Sequence, residues 1–387
     1  VDVSAGPLEP AFPRISFRTA LRERWLAFRN GLIANAGFQR WAAGFPLTRA
    51  VAHHHERALF DLVAGFVYSQ VLAACVRLQV FDALAEGPLS VGALAQRLSL
   101  PADATTRLMR AAVALDLAES LPHDRYALGR LGAALRGNPS LAAMIEHHAM
   151  LYADLADPVA LLRGEQTASN LAAFWPYARN ADPAISGDAR VRDYSALMAG
   201  SQALIADQVL AAYPFHKHRR LLDIGGGEGV FLAAAGQRVP GLGLMLFDLP
   251  AVAQRAVSRL NTAALQGHAQ IYAGDFLRDP LPVGADVASL VRVLHDHDDA
   301  PALAILRNAR AALPVGGVLL IAEPMSGTPG AEPVGDAYFG FYLAAMGSGR
   351  PRTAAEISAL VREAGFTRTR LVPTRSPLIV RLLVATA

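Results

Sequence analysis

The sequence predicts an α/β fold, with an open, mainly parallel sheet in the C-terminal part behind an all-helical N-terminal part that carries a winged-helix pattern. Three observations predict it. Residues 221–229 read LLDIGGGEG, an apolar run that ends in Asp223 and opens into alternating glycines, as a buried strand does when it delivers a nucleotide-like ligand to a helix start. Three further apolar runs, residues 242–247, 287–294 and 318–322, end at Asp248, His295 and Glu323, and open α/β sheets build their sites from polar groups at successive strand ends. Residues 136–217 are mostly helical in pattern, with loop signals at Gly137-Asn138-Pro139 and at residues 181–188.

In chain order, residues 1–57 form an arginine-rich amphipathic extension. Arg14, Arg18, Arg22, Arg24, Arg29, Arg40, Arg49 and Arg57 face only Glu23 and Glu56, with Trp25, Phe28, Leu32, Ile33, Phe38, Trp41 and Phe45 between them. Two fates stay open for such helices: packing against the rest of a dimer, or lying on an anionic membrane surface. Residues 58–135 form a second unit. It holds an apolar helix from Leu59 to Val80, a short capped helix at 89–98, a helix at 101–117 and a hairpin at 121–128, which together make the winged pattern. A DNA-binding regulator is the rival reading of that unit, but its candidate recognition helix offers mainly Arg107 and Arg110, too few cations to track a phosphate backbone. No nucleic acid is therefore expected. Residues 136–217 are a helical connector that contributes to a substrate cavity, where His147, His148, Tyr152 and Trp175 either line the cavity or pack. Residues 218–387 bind the ligand.

Composition narrows the class. Hydrophobic residues make up 53% of the 387, so a membrane span has to be considered. The longest uncharged stretch in the apolar helix, residues 62–76, is interrupted by Tyr68, Ser69 and Gln70 and looks too short and too polar to span. Residues 1–14 carry Asp2, Glu9 and three prolines instead of the basic and apolar blocks of a signal peptide. One cysteine, Cys75, allows no disulfide within the chain, so a cytoplasmic protein is expected, with peripheral contact at the inner membrane left open. The net charge is +3, and Lys217 is the only lysine. The contiguous His53-His54-His55 fits no compact chelate, and no metal is expected there or at His295-Asp296-His297-Asp298-Asp299.

The glycine loop points to one kind of ligand. Gly225, Gly227 and Gly229 lack the Cβ that would hold the backbone away from it. A dinucleotide fingerprint would need Gly or Ala where Val230 stands, and Asp223 would repel a pyrophosphate but suits a cation. S-adenosylmethionine carries a sulfonium, an ammonium and no phosphate. Asp248 can accept two hydrogen bonds from a ribose diol, and Gly274-Asp275-Phe276 offers an adenine an acceptor and an aromatic face. Leu249 and Arg292, next to these strand ends, complete the candidate cofactor set.

The ordered motifs LLDIGGGEG, FDLP, GDF, VLHDHDD and LIAEP resemble the S-adenosylmethionine-dependent O-methyltransferases typified by plant caffeic acid and flavonoid enzymes, over about residues 60–387. The resemblance implies a Rossmann-like methyltransferase sheet with an N-terminal all-helical, winged-helix dimerisation domain, and hence a homodimer. It also implies that His295 is the general base and that Glu323 flanks it, accepting a hydrogen bond from the other ring nitrogen. The family's tryptophan after the base is His297 here. Its second flanking glutamate falls on Pro351, so a two-glutamate clamp is not complete.

The N-terminal part narrows the likeness. Residues 38–49 (FQRWAAGFPLTR) and 59–70 (LFDLVAGFVYSQ) are similar to carotenoid O-methyltransferases of photosynthetic bacteria, of the hydroxyneurosporene and demethylspheroidene type. That similarity implies a hydrophobic acceptor, the tertiary C-1 hydroxyl of an acyclic carotenoid, oriented by an apolar tunnel near the helical connector and residues 338–346. Methylation of a smaller phenol or pigment precursor, and ligand sensing without turnover, are the alternatives.

Overall fold

A computed structural model describes residues 16–166, 169–174, 188–262, 265 and 268–387, with the backbone alone for 188–199. The chain divides into two compact units, residues 1–74 and 75–387. The first holds α1 (Phe17–Ala34), α2 (Ala36–Gly44) and most of α3 (Arg49–Arg77). Ser16 starts α1 by accepting the Thr19 N–H, and Asn35 starts α2 by accepting the Phe38 N–H at 3.0 Å. Phe17, Leu21, Trp25, Phe28 and Leu32 repeat at helical spacing along one stripe of α1, and all five are exposed. On α2, Trp41 stacks on Phe45 with ring centroids 5.0 Å apart.

The apolar helix departs from expectation at both ends. It starts ten residues before Leu59, at Arg49, and stops at Arg77. Gln79 takes a left-handed backbone, φ 55°, and α4 (Val80–Ala85) begins afresh after it. At 29 residues, α3 is long and apolar enough to cross a membrane by length and composition alone. The uncharged count that argued against a span ended at Asp61, yet Asp61 lies within the helix and pairs with Arg57 one turn back at 3.9 Å.

The second unit opens with the winged pattern. β1 (Leu89–Ser90), α5 (Val91–Leu98), α6 (Ala102–Ala114), β2 (Ala118–Leu121), β3 (Arg125–Leu128) and α7 (Arg130–Arg136) follow in order, and the strands pair antiparallel as β1-β3-β2. The hairpin turns through His123 and Asp124, both at positive φ. Buried Leu94, Leu98, Met109 and Tyr126 close the helices over this small sheet. Next come α8 (Pro139–Asp154), α9 (Pro158–Leu162), α10 (Asn170–Phe174) and α11 (Asp188–Ala212). Buried Asp154 ties α8 to α10, accepting the backbone N–H groups of Asn170 and Leu171 at 2.8 Å each and the Ser169 hydroxyl at 2.8 Å. Trp175 and residues 181–187 lie outside the described residues.

The large sheet is built from β4 (Arg220–Ile224), α12 (Val230–Arg238), β5 (Gly243–Asp248), α13 (Pro250–Thr262), β6 (Ala269–Ala273), β7 (Val287–Val291), α14 (Asp299–Ala312), β8 (Val318–Glu323), α15 (Phe339–Met346), α16 (Ala354–Glu363), β9 (Arg368–Val372) and β10 (Arg381–Thr386). Its seven strands run in the order β6-β5-β4-β7-β8-β10-β9, parallel except for β10, which is antiparallel to both neighbours. Helices cover both faces, which is why the central strands read as unbroken apolar runs. Leu222, Ile224, Met245, Leu290 and Ile321 pack on one side with Ile305, Leu306 and Val361 of α14 and α16. Leu221, Leu244, Leu246, Val291 and Leu320 pack on the other with Val209, Phe231 and Leu260 of α11, α12 and α13. The strand order reverses between β4 and β7, so a crevice opens at their C-terminal ends. The candidate residues gather there.

Candidate active site

The loop after β4 has the backbone its glycines allow. Gly225, Gly227 and Gly229 have φ values of 66°, 60° and 79°, a region in which a side chain is strained. Gly226, which sequence reading passed over, matters through space: a Cβ there would lie 2.7 Å from Asp223 Oδ2. Asp223 is buried under the loop. Its Oδ1 accepts the Ser289 hydroxyl from β7 at 2.7 Å, while Oδ2 is buried with no hydrogen-bond partner. Burial pushes this carboxyl up to about 7, and a charged donor arriving over the loop would relieve it. The orphaned oxygen, together with a loop that keeps side chains away, fits a compact cation.

Asp248 ends β5 one strand along. Its carboxylate accepts the N–H of Gly227 at 2.7 Å and that of Leu249 at 2.7 Å, so it fixes the glycine loop and keeps a lone pair on each oxygen for further donors. Burial nevertheless raises it to about 6. Asp275 and Phe276 follow β6. Asp275 Oδ1 accepts the Leu277 N–H at 2.9 Å, and its Oδ2 faces Arg278 Nε at 3.6 Å. Phe276 lies against Gly225 and meets the His297 ring edge-to-face at 5.5 Å, so His297 supplies an aromatic wall where the resembling family has tryptophan. Arg292 follows β7 with φ 58°, its N–H donated to the Ala322 carbonyl at 2.8 Å and its guanidinium to Ser201 Oγ at 2.7 Å.

His295 sits in a short 3₁₀ turn, residues 294–296, just after β7, and is buried. Its Nε2 lies 3.2 Å from Asp296 Oδ1, and its Nδ1 is buried without a partner. The role expected of Glu323 needs correcting. Glu323 is buried at the end of β8, but its Oε2 accepts the backbone N–H of His295 at 3.2 Å rather than a ring N–H, and its Oε1 has no partner. The tight turn aims the neighbouring Asp296 at the ring and the backbone of His295 at the sheet, so Asp296 orients the imidazole and Glu323 anchors the turn. Burial lowers the His295 imidazole well below its ordinary range and raises Asp296 to about 7 and Glu323 to about 8. A cluster this dry holds its charge down, and the imidazole rests neutral.

A row of rings leads from this histidine to the helical connector. Phe339 packs on His295 at 5.6 Å, Tyr338 meets Phe339 edge-on at 4.9 Å, and His148 of α8 stacks on Tyr338 at 5.6 Å. His147 bonds to the Tyr342 hydroxyl at 2.7 Å inside an apolar cluster with Leu151, Leu171 and Met346. Thus His147 packs, while His148 joins the row. Among the described residues, no group of three or more His, Cys, Asp or Glu side chains is placed to hold a metal ion.

Comparison with known proteins places the chain in a family. Residues 152–367 match the O-methyltransferase domain, and residues 60–136 match the O-methyltransferase dimerisation domain. The chain is 44% identical to the demethylspheroidene O-methyltransferase of Cereibacter sphaeroides, over 92% of this chain and 93% of that one. It is 40% identical to the enzyme of the same name from Rhodobacter capsulatus, over 98% of this chain and 91% of that one. Among solved structures, CalO1, a methyltransferase of calicheamicin biosynthesis in its SAH-bound form, matches with a TM-score of 0.71 and 28% identity, covering 86% of this chain and 98% of the other.

Proposed function

The chain belongs to the S-adenosylmethionine-dependent O-methyltransferases, and on that premise we propose that it methylates the tertiary C-1 hydroxyl of acyclic hydroxylated carotenoids in carotenoid biosynthesis. The observation that carries the reaction type is the buried His295 with one ring nitrogen held by Asp296 and the other without a partner, beside the glycine loop. When bound, S-adenosylmethionine supplies a methyl group made electrophilic by its sulfonium. Gly225, Gly227, Asp223, Asp248, Leu249, Asp275, Phe276 and Arg292 would hold it. His295 takes the hydroxyl proton as the oxygen attacks, since an unassisted tertiary alcohol is a poor nucleophile at neutral pH. Asp296, beside Nε2, then stabilises the imidazolium formed, while Glu323 holds the turn that carries the ring.

The acceptor class rests on the two relatives, at 44% and 40% identity, and on the rings from His148 to Phe339, which suit a conjugated hydrocarbon better than a polar ligand. Such an acceptor resides in a bilayer. In our reading the protein is a cytoplasmic homodimer whose dimerisation domain is residues 60–136, and whose arm from residue 16 to 57 touches the inner membrane surface through its arginines and exposed aromatic stripe. Each basic residue near anionic lipid contributes roughly 1 kcal/mol, weakened by salt. The test is a competition assay with a hydroxylated acyclic carotenoid in anionic liposomes and simple phenols in the same mixture. The carotenoid should be methylated faster, and its advantage should shrink at high salt as the protein leaves the liposomes. If phenols win and the carotenoid gives no product even in detergent, the acceptor is wrong; undiminished carotenoid turnover at high salt would remove the membrane arm from the reading.

A further inference from the structure

The turn that carries His295 is clamped from the far side of the sequence. Residues 348–352 run across it. A Cβ on Gly349 would collide with the His295 carbonyl oxygen, Ser348 Oγ donates to the Asp296 carbonyl at 3.1 Å, and Gly349 N–H donates to Asp298 Oδ1 at 3.0 Å. Next in line is Arg352, whose side chain is 0% exposed. Its Nη1 donates to the Leu294 carbonyl at 2.8 Å, its Nη2 to the His297 carbonyl at 2.7 Å, and its Nε to Asp299 Oδ1 at 2.9 Å. The two carbonyls lie on either side of the His295-Asp296 pair. The planar fork of a guanidinium can hold both at a fixed separation, which a single ammonium cannot.

Arg352 is itself fixed. Its carbonyl accepts the Ser326 N–H at 3.0 Å, and Thr353 beside it starts α16 with a capping box closed by Glu356 at 2.8 Å. Its carboxylate partner Asp299 is also held by Arg350, which donates to Asp299 Oδ2 at 3.1 Å. A buried charge is costly unless it is fully bonded, and this one divides its contacts between Asp299, whose Oδ1 also lies 2.7 Å from Nη2, and two backbone oxygens next to the base. We propose that Arg352 is a positioning residue for the methyl transfer, fixing the 294–297 turn so that the His295 ring stays aligned with the acceptor oxygen. The segment in which the resembling enzymes place a second flanking carboxylate, here Pro351, thus contributes orientation through the neighbouring guanidinium. The proposal rests on His295 being the base, and the experiment tests that separately.

The experiment is a double-mutant cycle with full-length protein, methyl-labelled S-adenosylmethionine and any acceptor the parent turns over. Arg352→Lys keeps a buried cation but loses the fork, and misplacing a catalytic group by about 1 Å costs on the order of 100-fold. A kcat lowered roughly 10- to 100-fold is expected, with acceptor KM, cofactor affinity and thermal midpoint close to the parent. Placed on a His295→Ala background, Arg352→Lys should have almost no further effect, since there is no ring left to aim. A merely structural arginine would instead lower kcat by the same factor on both backgrounds, or lower kcat, affinity and midpoint together, and either result overturns the proposal. So does an unchanged kcat in folded Arg352→Lys. If His295→Ala alone is as active as the parent, it is the identity of the base that fails.

Discussion

Replacing His295 by Ala is expected to lower turnover by about two to four decades, the usual contribution of a positioned general base, while leaving S-adenosylmethionine affinity within a few-fold of the parent. The separation follows from position. His295 follows β7 in the crevice, and its nearest polar contacts are Asp296 and Glu323, whereas the glycine loop is braced by Asp223 and Asp248 from β4 and β5. Asp296→Asn should cost less, because the imidazole still accepts a proton when its orienting carboxyl becomes an amide. Single-turnover transfer from labelled cofactor, read beside calorimetric affinity, checks both. A His295→Ala protein that turns over at the parent rate would place the base elsewhere.

The second large effect is on binding. Asp248→Ala would remove the acceptor proposed for two ribose hydroxyls and also free the N–H groups of Gly227 and Leu249. A hydrogen bond to a charged group is worth roughly 1.5–3 kcal/mol, so affinity should fall by about one to two decades. The same carboxyl sets a pH dependence. Burial holds Asp248 at about 6 and Asp223 at about 7, both above their ordinary value. The folded state therefore keeps protons that the unfolded chain has released, and these groups contribute less stability as pH rises toward those values. Ligand binding has the opposite sense: the ribose and the cation favour ionised carboxylates, so affinity should rise through pH 6 to 7 and then level off. Calorimetry across that window should give the rise in the parent and a shallower one in Asp248→Ala. An affinity independent of pH, or an Asp248→Ala protein that binds as the parent does, contradicts the assignment.

Much of the sheet is legible in the sequence because its central strands are buried on both faces and read as apolar runs with polar ends. Residues 242–247 and 318–322 locate β5 and β8 to within a residue, and LLDIGGGEG places β4 and its loop. The apolar run at 287–294 outlasts its strand, since the chain leaves the sheet at Val291 and turns through Arg292 at positive φ. β9 and β10 escaped because an antiparallel return at the sheet edge has no helix-crossover rhythm. At the site, residue types and strand ends are legible but partners are not. Whether Asp296 or Glu323 meets the imidazole depends on a 3₁₀ turn whose pitch no spacing encodes, and Arg352 reaches the Leu294 carbonyl across 58 positions of chain. Gly226 matters only through its approach to Asp223 Oδ2, which no sequence pattern marks. A cleaner signal was present in Ser289, a lone hydroxyl in the apolar strand VASLV, which marks a buried partner for Asp223.

The central claim is that the crevice at the ends of β4 and β7 transfers a methyl group to a hydroxyl oxygen rather than merely holding a nucleotide-like ligand. Incubating the protein with methyl-labelled S-adenosylmethionine and a panel of hydroxylated acyclic carotenoids and phenols tests it most directly, with the ether product and S-adenosylhomocysteine counted together. One equivalent of S-adenosylhomocysteine for each labelled C-1 methoxy carotenoid is the predicted result. Tight cofactor binding with neither product nor S-adenosylhomocysteine from any acceptor in the panel would contradict it and leave a ligand-sensing protein in its place.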